Sequence, residues 1–154
     1  MVAIERAIEM VEVEVSEVIK RPAEEIYELI SIPENGPKRQ SGVLEAEQTS
    51  KGPRGVGATK RELRFILGRQ TDQTFEVSEY EPIRIIRLKS ITGAMPLETS
   101  YAFESVEGDT RLTLGGRGET SGFFMFADPL IPRMAERQME VDVANFKDMQ
   151  EAQD

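Results

Sequence analysis

The feature that most constrains this chain is a change of period. From Val11 to Leu114 apolar residues return at every second position in a series of short runs. From Gly122 onward Ile131, Ala135, Met139, Val143, Phe146 and Met149 return at every third or fourth. Alternation marks a strand with one buried face, and the three-to-four spacing marks a helix with an apolar stripe. A sheet-forming part is thus followed by one long helix, which must find its cover on the sheet.

The first run, VEVEVSEVI over 11–19, alternates strictly, with Val11, Val13, Val15 and Ile19 in one row and Glu17 in that same row. Arg21-Pro22-Ala23-Glu24-Glu25 opens a helix, since proline is tolerated in a first turn and acids there complement the helix dipole. Ile26, Leu29 and Ile30 form its stripe, and Pro33-Glu34-Asn35-Gly36-Pro37 ends it. Further strands are predicted over 43–50, 58–67, 70–80, 83–91, 97–105 and 110–114. Gly52-Pro53, Gly68-Arg69, Glu81-Pro82, Gly93–Pro96 and Glu107-Gly108-Asp109 punctuate them. Such short spacing gives an antiparallel meander. The expected fold class is α+β: a seven-stranded curved antiparallel sheet wrapped round a long C-terminal helix, with short helices after the first strand. One domain is expected over 1–154, with 1–9 as an extension. Phe123-Phe124-Met125-Phe126 is expected to plug one end of the structure.

One helix of about twenty residues cannot fill the concave face of seven twisted strands, so a void is expected between helix and sheet. The phases assign to its lining Val15, Leu63, Phe65, Phe75, Val77, Ile86, Leu88, Tyr101 and Phe103 from the sheet, and Met134 and Met139 from the helix. An ordinary close-packed core is the alternative. Glu17, Arg61 and Gln73 fall in inward rows and would orient a ligand there. A carboxylate in an apolar row is costly unless paired, and Arg61, in the row of Leu63 and Phe65, is the cation that the phases offer to Glu17. A bulge or strand end that lets Glu17 reach solvent, and a solvated rim position for Arg61, are the competing readings. Glu17, Arg61 and Tyr101 are the candidates for any chemistry.

The composition limits that chemistry. The chain has no histidine and no cysteine, which excludes Ser-His-Asp and Cys-His sites, imidazole and thiolate metal sites, and disulfides. No metal and no cofactor are expected. A net charge of −9 repels phosphate backbones, so nucleic acid is not an expected partner. No apolar run approaches the ~20 residues that cross a bilayer, so stable membrane insertion is not expected. The first residues lack a basic region followed by an apolar block, and a cytoplasmic location is expected. The protein is expected to be a monomer or a homodimer.

The stretch VEVEVSEVIKRPAEEIYELI resembles the opening strand and first helix of the START/SRPBCC superfamily, the helix-grip proteins, and in particular its polyketide cyclase/dehydratase-like branch. The likeness continues through SIPENGPKRQSGVLEAEQTSKGPRGVGATKR, FEVSEYEPIRIIRLKS, YAFESVEGDTRLTL and ANFKDMQE. The resemblance implies binding of a hydrophobic or aromatic small molecule, lipid- or polyketide-like, between sheet and C-terminal helix. It also leaves room for a cyclase or dehydratase, or for a protein-interaction domain like the helix-grip activators of chaperone ATPases. The superfamily has no universal catalytic residues. Members often carry a tryptophan just after the PEN segment. This chain has Lys38-Arg39-Gln40 there and no tryptophan, which implies a more polar cavity mouth or a different choice of ligand.

Overall fold

A computed structural model describes residues 10–66, 68–92, 96–119 and 130–153. The expected extension over 1–9 and the expected plug at Phe123–Phe126 lie outside these residues.

The strictly alternating opening run is β1 (Met10–Ile19). The chain turns at Lys20 and Arg21 into α1 (Ala23–Ser31), where the Pro22 carbonyl accepts hydrogen bonds from the Glu25 and Ile26 amides. Ile26, Tyr27 and Ile30 supply the buried stripe of α1. The PEN segment that ends it forms a single 3₁₀ turn, followed by the short α2 (Gly36–Arg39). Six strands then run as a meander: β2 (Val43–Gln48), β3 (Thr59–Ile66), β4 (Arg69–Glu81), β5 (Ile85–Ser90), β6 (Leu97–Val106) and β7 (Asp109–Glu119). The last element is α3 (Leu130–Glu151).

The strands make one curved, open, seven-stranded sheet in the order β1-β7-β6-β5-β4-β3-β2, with every neighbouring pair antiparallel. From β1 at one edge the chain therefore crosses on α1 and α2 to the other edge, and returns strand by strand to β1. α3 packs along β1 and closes the core with Val143 and Phe146 against Ile19, Ile26, Phe75 and Leu112, all buried. Full burial of each such side chain contributes ~2 kcal/mol. Polar bonds fasten the last turns of α3 to the end of β1. Lys147 Nζ donates to the Val18 carbonyl (2.8 Å), Arg21 Nε to the Gln150 carbonyl (2.9 Å), and the Lys20 amide to Glu151 (3.0 Å).

Three details depart from the sequence reading. β3 is inverted: Lys60 faces Phe75 and Glu62 faces Gln73 across the ladder, so the even-numbered, charged row shares the concave face with the buried residues of β4. A register shift between Val77 and Glu79 breaks the alternation of β4: Glu79, in the row of Phe75 and Val77 by sequence, turns outward and Tyr80 comes in. β7 continues through Gly115, Gly116 and Gly118 as a regular strand. At Gly116 the bare backbone lets the neighbouring layers close in. A Cβ there would lie 3.3 Å from Val13 Cγ2 and 3.7 Å from Met139 Sδ.

Candidate ligand-binding site

The register of the sheet decides which expected residues meet. On the concave face stand Gln73 and Phe75 from β4, Ile86 and Leu88 from β5, and Tyr101 and Phe103 from β6, all buried. Val15, Val77 and Met139 are partly buried against them. Phe103 is occupied by packing, edge-on to the Tyr27 ring with centroids 5.7 Å apart.

Five expected residues are placed differently. Phe65 is 49% exposed and lies, with Leu63 and Arg61, in the outward row of β3. Arg61 is held there by a two-pronged bond to Asp72, at 2.9 and 2.6 Å, and does not meet Glu17. Glu17 does share the concave face, opposite Leu112. It stands at the β1 edge, however, where its side chain keeps 42% of its exposure and lies 4.0 Å from Lys147. Met134 is 50% exposed on α3.

A narrow cleft opens between the end of α1, the 54–58 loop and strands β3 to β6. Ile30, Val77, Ile86 and Leu88 give it an apolar floor, and Lys60, Tyr80 and Tyr101 add polar groups. Among the described residues none from α3 lines this cleft, which lies under α1; a smaller pocket does lie between β7 and α3, lined by Leu112, Leu114, Val143 and Phe146. Ser31 and Arg54 form its rim; the Arg54 guanidinium donates to the Ser31 hydroxyl and lies 3.6 Å from Glu28. The Tyr27 and Tyr80 hydroxyls are bonded to each other. Burial, reinforced by that bond, pushes the Tyr27 pKa well above the usual tyrosine value.

The inner wall carries a charged cluster. Glu62 is 2% exposed. One carboxylate oxygen accepts from Lys60 Nζ and the other from Arg64 Nη2, both at 2.6 Å. Arg64 also donates to Gln40 (3.1 Å). Arg39, at the end of α2, lies with its guanidinium 5.2 Å above the Tyr101 ring, while Gln40 Nε2 donates to the Tyr101 hydroxyl over a long 3.4 Å. Burial disfavours a charged Glu62, yet the field of Lys60 and Arg64, their bonds and the nearby Arg39 hold its pKa at about 2. At Tyr101 burial would raise the pKa, but Arg39, Lys60 and Arg64 together outweigh burial and Glu62 and draw it below the usual value. The cluster thus keeps one carboxylate ionised and makes one phenol more acidic.

Sequence periodicity missed Lys60, Glu62, Arg64 and Tyr80. Arg39 and Gln40 had one signal, the Lys38-Arg39-Gln40 segment where related proteins often carry tryptophan. Among the described residues no cluster of acids is arranged to hold a metal ion, and no helix is long and apolar enough to cross a membrane.

Comparison with known proteins bears on the same fold. A START superfamily protein from Mycobacterium smegmatis superposes with a TM-score of 0.77 at 16% identity, over 91% of this chain and 97% of that one. A Thermus thermophilus protein superposes at 0.73 with 19% identity, covering 89% and 94%. A major latex-like protein from Panax ginseng superposes at 0.69 with 13% identity, covering 92% and 97%. At these identities the likeness shows the fold alone. No curated protein matches the sequence. Residues 10–151, however, match the sequence model of the family described as polyketide cyclase/dehydrase and lipid transport, and the chain belongs to that family.

Proposed function

We propose that the protein binds an apolar or aromatic small molecule in the cleft under α1. The observation that carries this reading is the cleft itself: an open, mostly apolar hollow on the concave face, with a few polar groups gathered at one wall, as small-molecule sites are built. Membership of a family whose description includes lipid transport supports the same reading. The narrowness of the cleft favours a ligand of one or two rings over a long-chain lipid. A cytoplasmic location and a monomeric or homodimeric state accompany this proposal.

A neutral fluorescent probe, N-phenyl-1-naphthylamine, tests it. The probe should bind the folded protein, and Leu88→Trp, which fills the floor of the cleft, should abolish binding while leaving the protein folded. Equal binding by the variant would overturn the reading.

The Tyr101 hydroxyl supports a second reading, a cyclase- or dehydratase-type reaction. A phenol made more acidic beside Arg39 and Lys60 is placed to donate a hydrogen bond to a carbonyl oxygen as it gains enolate charge. Under this reading Tyr101→Phe lowers turnover of a bound polyketone without weakening its binding; unchanged turnover would overturn it.

A further inference from the structure

We propose that the ligand is an organic anion, whose carboxylate sits at the inner wall of the cleft against Lys60 and the Tyr101 hydroxyl. The inference rests on the reading that the cleft binds an apolar molecule, and adds the chemistry of that molecule's polar end.

The first argument is charge. Arg39, Lys60, Arg64 and Glu62 are the charged groups that act on Tyr101. Among the described residues acting on Tyr101, three cations stand against one carboxylate, inside a chain whose net charge is −9. Glu62 does not account for all three cations, because its two oxygens are already taken by Lys60 and Arg64. Arg39 is surplus to that arrangement. Burying cations without partners is costly, and an anion arriving from solvent removes the cost.

The second argument is hydrogen bonding. Lys60 has three N–H groups, of which one meets Glu62, while its ammonium otherwise lies 5.8 Å from the centre of the Phe75 ring. The Tyr101 oxygen receives the Gln40 amide, and among the described residues no acceptor takes its proton. Arg39 Nε and Arg64 Nε are both buried with no acceptor among the described residues. Buried donors are nearly always satisfied, so the unused or underused donors on Lys60, Tyr101, Arg39 and Arg64 mark a wall short of an acceptor. Lys60 and Tyr101 both line the cleft, which puts two of these donors within reach of a ligand. Arg39, on the face of the Tyr101 ring, and Arg64 supply charge from behind. The surroundings are apolar, so the anion must carry an apolar body: a carboxylate on an aromatic ring or short aliphatic frame.

The test uses two ligands of one shape, 2-naphthoate and 2-naphthamide, each displacing N-phenyl-1-naphthylamine from the wild-type protein. Charge-assisted bonds predict that the carboxylate binds about ten- to a hundredfold tighter. In Lys60→Gln, where Arg64 still neutralises Glu62, that ratio should fall to within a few fold. Arg39→Gln leaves every hydrogen bond of Glu62 in place and should lower the ratio too, which keeps the test open if Lys60→Gln fails to fold. Equal affinity for naphthoate and naphthamide in the wild type overturns the anion proposal and leaves apolar binding intact. A preference that survives unchanged in the folded variants overturns the placement at this wall. No binding of the fluorescent probe or of either naphthalene overturns both proposals.

Discussion

Replacing Glu62 with glutamine keeps the shape of the side chain and removes the single negative charge among the four charges gathered at Tyr101. In the native protein the carboxylate is held at about 2, against an ordinary 4.5. That interval corresponds to ~3 kcal/mol of preferential stabilisation of the charged form in the fold. Breaking a buried ion pair by removing one partner costs about 3–5 kcal/mol in general, because the remaining charges stay buried and unopposed. Both routes give the same size of effect, and ~3 kcal/mol lowers the melting temperature by about 6–12 °C in a domain of this length. The sign with pH follows from the lowered value. The stabilisation is fully present above 4.5 and is lost as pH falls from there toward 2. Urea denaturation of the wild type should therefore show stability falling across that acid window, and Glu62→Gln should be less stable at pH 7 and flatter between pH 4.5 and 2. A variant within ~0.5 kcal/mol of the wild type at pH 7, or one with the same acid slope, would refute the reasoning.

Two further predictions follow from the same geometry. In a spectroscopic titration the three tyrosines should separate, Tyr101 ionising below the usual tyrosine value and Tyr27 well above it. Tyr101→Phe should remove the earliest step; its persistence would contradict the cation field. Glu17→Gln should change stability by less than ~0.5 kcal/mol, since Lys147 keeps its bonds to Glu151 and the Val18 carbonyl, and a larger loss in thermal denaturation would show Glu17 to be a structural ion-pair partner.

The strand order was legible because VEVEVSEVI and the later runs alternate cleanly and turn residues separate them. The face of β3 was not, because its two rows compete: Leu63 and Phe65 against Lys60, Glu62 and Arg64. Hydrophobicity alone puts Leu63 and Phe65 inside. Yet a two-residue turn makes opposed residues differ in parity, as in Ile66↔Arg69 and Lys60↔Phe75, so Phe65 and Phe75 cannot share a face. The hairpin geometry was in the sequence and outranked the pattern, because β4 carries the side chain that is nearly fully buried, Phe75. The turn inward of Tyr80 depends on the irregularity between Val77 and Glu79, which no residue there announces. Arg39 was read as part of a polar mouth. Its place over Tyr101 depends on the short helix α2, whose four residues are too few for periodicity to reveal.

The sheet order also sets a timetable for folding. β1 leaves the ribosome before the other described strands, yet its ladder partner is β7, from Ile19↔Thr110 to Met10↔Glu119, separations of roughly a hundred residues. At translation rates of about 5–20 residues per second, β1 waits on the order of ten seconds for its neighbour, and longer for the bonds from α3. An aliphatic strand without a partner invites pairing with another nascent chain. The alternation of Glu12 and Glu14 with its valines answers that hazard: every stray partner would have to pair against a row of negative charge, whereas β7 brings Arg117, which reaches Glu12 at 3.1 Å. The outer face of β1 thus guards the strand until synthesis supplies its neighbour.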